Sequence, residues 1–267
     1  MLRLRVAAFL LLTLTAACST SPLGRKQLIL LPDSQMDLLG SQSFADLKQG
    51  QPVSKDARIN AYVQCVSKPL LAVSGSAIAA ERWEIVVFQE DSANAFALPG
   101  GKIGVHTGLL KVAVTPAQLA AVMGHEIGHV LARHGNERVS EGLLAQGGLA
   151  VLGQVMKTQG GRQEIAALLG VGLQVGVLLP HSRTQESEAD RIGLEMMARA
   201  GFDPAQSVEL WKNMSKGAGS GQPPEFLSTH PSHSSRIEDL RVRQEKVRPL
   251  YLQALEAGKQ PRCTPPG

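Results

Sequence analysis

The chain has 267 residues, of which 43% are hydrophobic, and its formal net charge is +4. That length and apolar content are enough to bury one sizeable core, so we expect one main domain with small appendages. The positive excess is small, and no zinc finger, basic helix or basic-aromatic alternation accompanies it, so a nucleic-acid partner is not expected.

Residues 1–17 have the pattern of an export signal. A basic start precedes an apolar run that is too short to span a bilayer as a retained helix. The run ends in small residues before Cys18, which resembles the bacterial lipoprotein site where this cysteine is lipidated. Ser19, in such lipoproteins, implies sorting to the outer membrane. We expect a protein anchored through Cys18 at the periplasmic face of the outer membrane, with cleavage to a soluble periplasmic protein as the alternative.

Residues 18–55 contain scattered prolines and polar residues and are predicted to form a tether with one short helix near 33–47. Apolar spacing predicts the next helix from Asp56 to about Val73. It contains Cys65, while Cys263 lies in a proline-rich C-terminal tail, 251–267. In an oxidising periplasm these two cysteines are a natural disulfide pair, and two free thiols are the alternative.

A strand and a hairpin are predicted next. Residues 83–88 are β-branched and aromatic, and the segments 94–98 and 102–106 alternate around a Pro-Gly-Gly turn. A free edge there would let an extended peptide add as one more strand through backbone hydrogen bonds. The candidate substrate-binding residues are Asn94, Ala95, Phe96 and Ala97. An ordinary core hairpin is the equally open alternative.

The segment 116–134 is predicted to be one helix, capped by Thr115 and ended by Gly135. It contains His125-Glu126-Ile127-Gly128-His129. Because residues four apart share a helix face, His125 and His129 can bind one Zn²⁺. Glu126, about 100° round the helix, can act as general base on a water in the open metal position, as in a metallopeptidase HExxH site. A merely structural histidine pair is the alternative.

Beyond this helix, 139–156 and 164–179 are apolar, rich in glycine and helical in period. Glutamines interrupt both segments, which therefore fall short of a transmembrane span. We expect a helical hairpin packed on or over the site, either as plain core or as a lid that touches a membrane or a partner.

Catalytic zinc needs a third protein ligand. After Pro180 the sequence predicts a helix that Gly201 ends, with Glu186 and Asp190 on one face. Glu186 could ligate the metal while Asp190 accepts a hydrogen bond from a ligand histidine. Glu188 points away from that face and is expected to be solvated.

Three motifs together resemble the zinc metallopeptidase family of the CAAX prenyl proteases and HtpX-type proteases, in particular its periplasmic LoiP-like and BepA-like branch. They are Asn94–Gly101, His125–His129 and Arg183–Asp190, and the resemblance covers about residues 56–250. It implies an α+β, mainly α, gluzincin-type domain with a small edge sheet on the HExxH helix, and it implies that Glu186 is the third ligand.

In similar proteins a His-Pro segment followed by arginine approaches the site. Here His230 would stabilise the oxyanion or act as a removable fourth ligand. Arg236 would hold that loop by pairing with an acid such as Asp190. His134 and His233 are expected at the surface or in caps, and His181 has no predicted role. Helices are predicted from 203 to 214 and, capped by Ser232, from 233 to 248.

The sequence thus predicts an endopeptidase with one Zn²⁺ per chain and Glu126 as general base. Its expected substrates are unfolded or misassembled cell-envelope proteins, since an edge strand reads backbone more than side chains. Envelope assembly proteins are further candidate partners. The alternative from another class is a chaperone-like or scaffolding lipoprotein that binds zinc and cuts little.

Overall fold

The computed structural model describes residues 18–145, 181–218, 225–230 and 235–266. The predicted signal peptide, most of the predicted hairpin 139–179 and the predicted cap Ser232 with His233 lie outside these ranges. Within them, no helix is both long and apolar enough to cross a membrane.

The described chain is mainly helical, as predicted, and has two small sheets, of which the sequence predicted one. The strands are β1 (Cys18–Thr20), β2 (Lys26–Leu28), β3 (Glu84–Phe88), β4 (Ala95–Leu98) and β5 (Lys102–His106). The helices are α1 (Asp33–Gly50), α2 (Ala57–Val73), α3 (Pro116–Leu131), α4 (His134–Ala145), α5 (Arg183–Ala200), α6 (Gln206–Ala218), α7 (Phe226–Thr229) and α8 (Arg236–Glu256).

The close crossing of α3 and α5 is the centre of the fold, and glycine makes it possible. A Cβ on Gly193 of α5 would lie 2.8 Å from the backbone nitrogen of His125 on α3. A Cβ on Gly128 of α3 would lie 2.9 Å from the carbonyl oxygen of Ala189. The two backbones therefore touch, which brings the acidic residues of α5 up to the histidines of α3.

The metal helix α3 is shorter than predicted. It begins as expected, because the Thr115 side chain accepts a hydrogen bond from the Gln118 N–H and Pro116 occupies the first turn. It ends at Leu131, however, and Arg133 takes the left-handed φ of 57° before α4 starts at His134. The expectation of one helix to 134, ended by Gly135, was wrong, because its periodicity gave no sign of this kink.

The three-stranded sheet has the order β3-β5-β4. Strand β5 pairs in parallel with β3 and antiparallel with β4, so β4 and β5 form the predicted hairpin, in which Ala97 lies opposite Ile103. Strand β4 is thus an edge strand, and it runs beside α3. The sheet packs on the core that α2, α3 and α5 share, whose buried members include Val66, Leu119 and Leu194.

Residues 18–55 lie against the domain and contain more structure than a tether with one short helix. Strands β1 and β2 form a small antiparallel sheet, and α1 extends over Asp33–Gly50. Phe44 of α1 is fully buried in a second cluster with Phe88 and Phe96. The physical reason is burial of apolar side chains that a tether would leave in water. Lipid anchoring of this segment stays a prediction.

The remaining predicted helices are present with shifted ends. Ser182 and Gln185 form a capping box before α5, and Gly201 ends that helix in the left-handed conformation, with φ of 84°. Helix α8 continues past Leu250 to Glu256, so the last turns of this helix occupy the start of the predicted tail. Cys263 forms a disulfide with Cys65 of α2.

Candidate metal centre

The two predicted histidine ligands face one point in the protein interior. His125 and His129 are buried on consecutive turns of α3, and their Nε2 atoms lie 2.9 Å apart. Each Nδ1 atom has a separate partner: Asp190 Oδ1 lies 2.9 Å from His125 Nδ1, and His134 Nδ1 lies 2.8 Å from His129 Nδ1. Both rings therefore turn their Nε2 atoms toward the same small volume.

Glu186 of α5 completes a set of three. One carboxylate oxygen lies 3.5 Å from His125 Nε2, and the other lies 3.4 Å from His129 Nε2. Ligand atoms about 2.0–2.2 Å from a tetrahedral zinc ion are themselves about 3.3–3.6 Å apart, so these two distances match. Burial would raise the pKa of Glu186, but nearby histidines hold it well below its usual range, so the carboxylate is charged.

The unsatisfied polar atoms at this point fit a cation. Glu186 Oε1, Glu126 Oε1 and His230 Nε2 are buried without a hydrogen-bond partner among the described residues. A hydrogen bond from each Nδ1–H to its partner leaves a lone pair on each Nε2, and two lone pairs 2.9 Å apart repel unless a cation lies between them. Ligand atoms of His125, His129, Glu186 and His230 all lie within 4.8 Å of one another.

Arg236 holds the acids of α5 in place. Its guanidinium is 2% exposed and donates to Glu186 Oε2 at 2.5 Å and to Asp190 Oδ1 at 2.8 Å. It also lies over the Trp211 ring at 3.7 Å. The predicted pairing with Asp190 is therefore present, and its contact with Glu186 was not foreseen. Arg236 outweighs the effect of burial and lowers the pKa of Asp190.

Glu126 lies beside the three ligands and is held by the edge strand. Its Oε2 accepts a hydrogen bond from the Ala97 N–H at 3.1 Å, and its Oε1 lies 3.3 Å from His230 Nε2. Burial raises the pKa of Glu126 to about 8, which suits a group that takes up a proton near neutral pH.

His230 follows α7 and stacks on Phe226, with ring centroids 4.1 Å apart. It is buried, and this burial lowers its pKa to about 3. The structure places a ring nitrogen of His230 within 4.8 Å of the ligand atoms of His125, His129 and Glu186, and the role of His230 stays a prediction.

Residues 57–244 match the model of peptidase family M48. The chain belongs to peptidase family M48.

Named members of this family resemble the chain over most of its length. The mitochondrial metalloendopeptidase OMA1 of Schizosaccharomyces pombe is 37% identical over 187 residues, 67% of this chain and 51% of that protein. The β-barrel assembly-enhancing protease of Escherichia coli K12 is 32% identical over 227 residues, 82% of this chain and 45% of that protein. OMA1 of Bos taurus is 34% identical over 257 residues, 91% and 47% of the two chains. The chain thus spans about half the length of these relatives.

The predicted substrate-binding residues of this M48 chain include groups at the sheet edge and groups buried in the core. Strand β4 is at the sheet edge, and the Ala97 N–H points away from β5 to Glu126. The Phe96 ring instead packs over Gly104 in the second core cluster, and Asn94 is buried. The side chains of Asn94 and Phe96 are therefore not placed to meet a peptide at this edge, whereas Ala97 borders the neighbouring cleft. A largely apolar cleft of about 330 Å³ runs from β4 and α1 to His129 and His181.

Two expectations about the M48 site surroundings were wrong. His134, expected at the surface or in a cap, is the first residue of α4 but is fully buried, because the kink at Arg133 turns it back toward His129. Glu188 is buried rather than solvated, because it pairs with Arg25 and His134. His181, without a predicted role, lies against His129, with ring centroids 3.8 Å apart and the rings tilted by 33°. No sequence pattern pointed to these contacts, which depend on the kink and on the N-terminal segment.

Proposed function

We propose that this chain is a zinc metalloendopeptidase that hydrolyses peptide bonds in unfolded or misassembled proteins of the bacterial cell envelope. The observation that carries the proposal is the convergence of His125, His129 and Glu186 on one point, with Glu126 beside them. The names of the relatives support an endopeptidase activity of this kind.

The three ligands are a donor set that zinc prefers, two imidazoles and one carboxylate. Zinc bound there would polarise a peptide carbonyl and lower the pKa of a water molecule. Glu126 would take the proton from that water through Oε1, which has no hydrogen-bond partner among the described residues, and then pass it to the leaving amine. The Ala97 N–H would keep the Glu126 carboxylate in position through its other oxygen.

His230 has two candidate roles, and the proton on its ring decides between them. Its Nδ1 lies 3.3 Å from the Phe226 carbonyl oxygen and 2.9 Å from the Thr229 hydroxyl. Donation from Nδ1 to the carbonyl leaves Nε2 with a lone pair, so His230 could be a fourth ligand. Donation from the Thr229 hydroxyl to Nδ1 leaves an Nε2–H, which could stabilise an oxyanion. In both cases His230→Ala should change turnover several-fold while zinc is retained, and unchanged turnover would exclude either role.

The edge strand supports a broad choice of substrate. An extended peptide beside β4 would bind through backbone hydrogen bonds, which any unfolded segment can supply. Regular folded proteins use these backbone groups internally, so they would be poor substrates.

Our proposal for location is a lipid anchor at Cys18 in the outer membrane, facing the periplasm. Ser21, close after Cys18 in the chain, already contacts Glu188 on α5. The anchor would therefore hold the enzyme directly at the membrane surface instead of at the end of a tether. The β-barrel assembly-enhancing protease among the relatives supports envelope assembly proteins as partners.

Cleavage of casein by purified protein tests the activity. We expect cleavage that a chelator abolishes and added zinc restores, with no cleavage by Glu126→Gln that still binds zinc. As a matched control, Glu195→Gln, an exposed carboxylate on α5 paired with Arg199, should cleave normally.

The competing function is a zinc-binding scaffold, which is favoured by the position of His230 against Glu126. Full zinc occupancy without cleavage of any unfolded substrate by the wild type would replace the peptidase proposal with this one.

A further inference from the structure

A buried chain of contacts leads away from the metal centre on the side of His129. His134 lies between His129 and Glu188: its Nδ1 is 2.8 Å from His129 Nδ1, and its Nε2 is 3.2 Å from Glu188 Oε2. All three side chains are at least nine-tenths buried. Water is therefore a poor substitute for any of these contacts.

The proton positions in this series of contacts can be assigned by starting from the Glu188 carboxylate. A carboxylate paired with arginine only accepts hydrogen bonds, so His134 donates from Nε2 to Glu188. The Nδ1 of a neutral His134 then accepts, and His129, its hydrogen-bond partner there among the described residues, must donate from Nδ1. This leaves a lone pair on the Nε2 of His129, the atom that faces His125 Nε2 and the Glu186 carboxylate. The opposite arrangement would place a proton on Nε2 and exclude a cation.

Glu188 is in turn held by the N-terminal segment. The Ser21 hydroxyl donates to Glu188 Oε1, and Arg25 Nε donates to Glu188 Oε2 at 2.8 Å. The two terminal nitrogens of Arg25 donate to Glu137 at 2.5 and 2.7 Å. Arg25 thereby joins α4, which begins at His134, to α5, which carries Glu186. Both Ser21 and Arg25 lie outside residues 57–244 that match the family model.

The Gln27 side chain supports the same junction. Its amide donates to the Ala132 carbonyl oxygen at 3.2 Å, in the kink between α3 and α4. Leu30 N–H donates to the Ser140 hydroxyl at 2.9 Å. The N-terminal segment thus contacts residues on both sides of His134 in the chain. Its position therefore affects the orientation of the His134 ring.

We propose that the N-terminal segment 18–31 supports the metal centre. Its Arg25, acting through Glu188 and His134, fixes the ring orientation and proton position of His129. Arg25, Glu188 and His134 are positioning residues, since none of them reaches the metal point itself. The inference rests on the proposed function only in taking His125, His129 and Glu186 as the ligands. Partners that orient a ligand histidine typically change metal affinity by about 10–100-fold.

The test is the zinc dissociation constant of the full chain, measured by competition with a chromophoric chelator at fixed pH. His134→Phe keeps the volume of the ring but removes the acceptor for His129, and we expect zinc binding about 10–100-fold weaker. His134→Gln keeps a carbonyl acceptor, and it should recover most of the affinity. A structural role for His134 would not distinguish the two variants in this way.

Arg25→Met tests the N-terminal end of the chain of contacts, with Arg199→Met as the matched control. Arg25 is partly exposed, so its replacement should leave a folded protein, and Arg199 carries an exposed ion pair on α5. We expect Arg25→Met to weaken zinc binding at least several-fold and Arg199→Met to leave it unchanged.

Equal zinc affinity in wild type and Arg25→Met would overturn the proposal, even if the variant unfolds more easily. If His134→Phe does not fold, the two arginine variants decide alone. Because zinc affinity is measured without a substrate, a protein that cuts nothing would contradict the proposed function and leave this inference intact.

Discussion

Substitution of a glycine at the crossing of α3 and α5 should change stability and zinc affinity by amounts that the structure allows us to estimate. In Gly193→Ala the new Cβ would lie 2.8 Å from the His125 backbone nitrogen and 2.9 Å from the Gly124 carbonyl carbon. Ordinary contact begins at 3.4 Å, so the two helices must separate by about 0.6 Å. Both opposing atoms belong to the backbone, and no side-chain rotation can relieve the contact.

Two energies oppose each other in this variant. Overpacking of this kind costs about 1–3 kcal/mol, and the better helix propensity of alanine returns up to about 1 kcal/mol. We expect a net loss of about 1–2 kcal/mol, seen as a melting temperature lower by about 2–8 °C. Distances between a metal and its ligands vary by only about 0.2 Å. Because the two helices that carry the ligands would separate by about 0.6 Å, zinc affinity should fall about tenfold or more.

Calorimetry without metal and chelator competition with zinc measure the two effects separately. Gly50→Ala is the matched control, because Gly50 lies in α1 with nothing within 4 Å of its added Cβ. It should leave zinc affinity unchanged and stabilise the protein slightly. A Gly193→Ala protein as stable as the wild type, with the same zinc affinity, would show that the crossing does not set the metal geometry.

Three further predictions concern the stability of the metal-free protein, measured by urea unfolding. Arg236→Met removes the arginine partner of two buried carboxylates, Glu186 and Asp190, and should cost about 3–5 kcal/mol, whereas Arg241→Met, which removes an exposed pair on α8, should cost little. Burial opposes ionisation of Glu188, but hydrogen bonds from its neighbours lower its pKa from 4.5 to about 2. Its contribution is therefore complete above pH 4.5 and lost as the pH falls toward 2, and Glu188→Gln should flatten that loss; equal pH slopes would argue against it. Reduction of the Cys65–Cys263 disulfide should cost about 2–5 kcal/mol, and an unchanged urea midpoint would contradict this.

Local sequence signals predicted the elements that carry the metal ligands. Thr115 and Gly201 mark helix ends by short-range hydrogen bonding and backbone conformation, and the structure has helix ends at both. The four-residue spacing of His125 and His129 fixes a shared face, and so does that of Glu186 and Asp190. Such signals act within one or two turns, which is why a single sequence shows them.

Contacts between distant segments could not be predicted in the same way. The kink at Arg133 required a non-glycine residue with positive φ, which periodicity does not show. Because the kink was not predicted, nothing in the sequence indicated that His134 contacts His129. Arg25 and Glu188 are far apart in the chain, and their pairing depends on where the N-terminal segment folds. That segment resembled a tether because it contains scattered prolines and polar residues, yet Phe44 packs it against the sheet.

The most direct test of the metal centre is a crystal structure of the zinc-loaded protein with anomalous data collected on both sides of the zinc absorption edge. We predict one peak per chain, about 2.0–2.2 Å from His125 Nε2, His129 Nε2 and the Glu186 carboxylate. Protein that holds no stoichiometric metal, or a peak bound instead by His134 and His181, would contradict the assignment of the ligands.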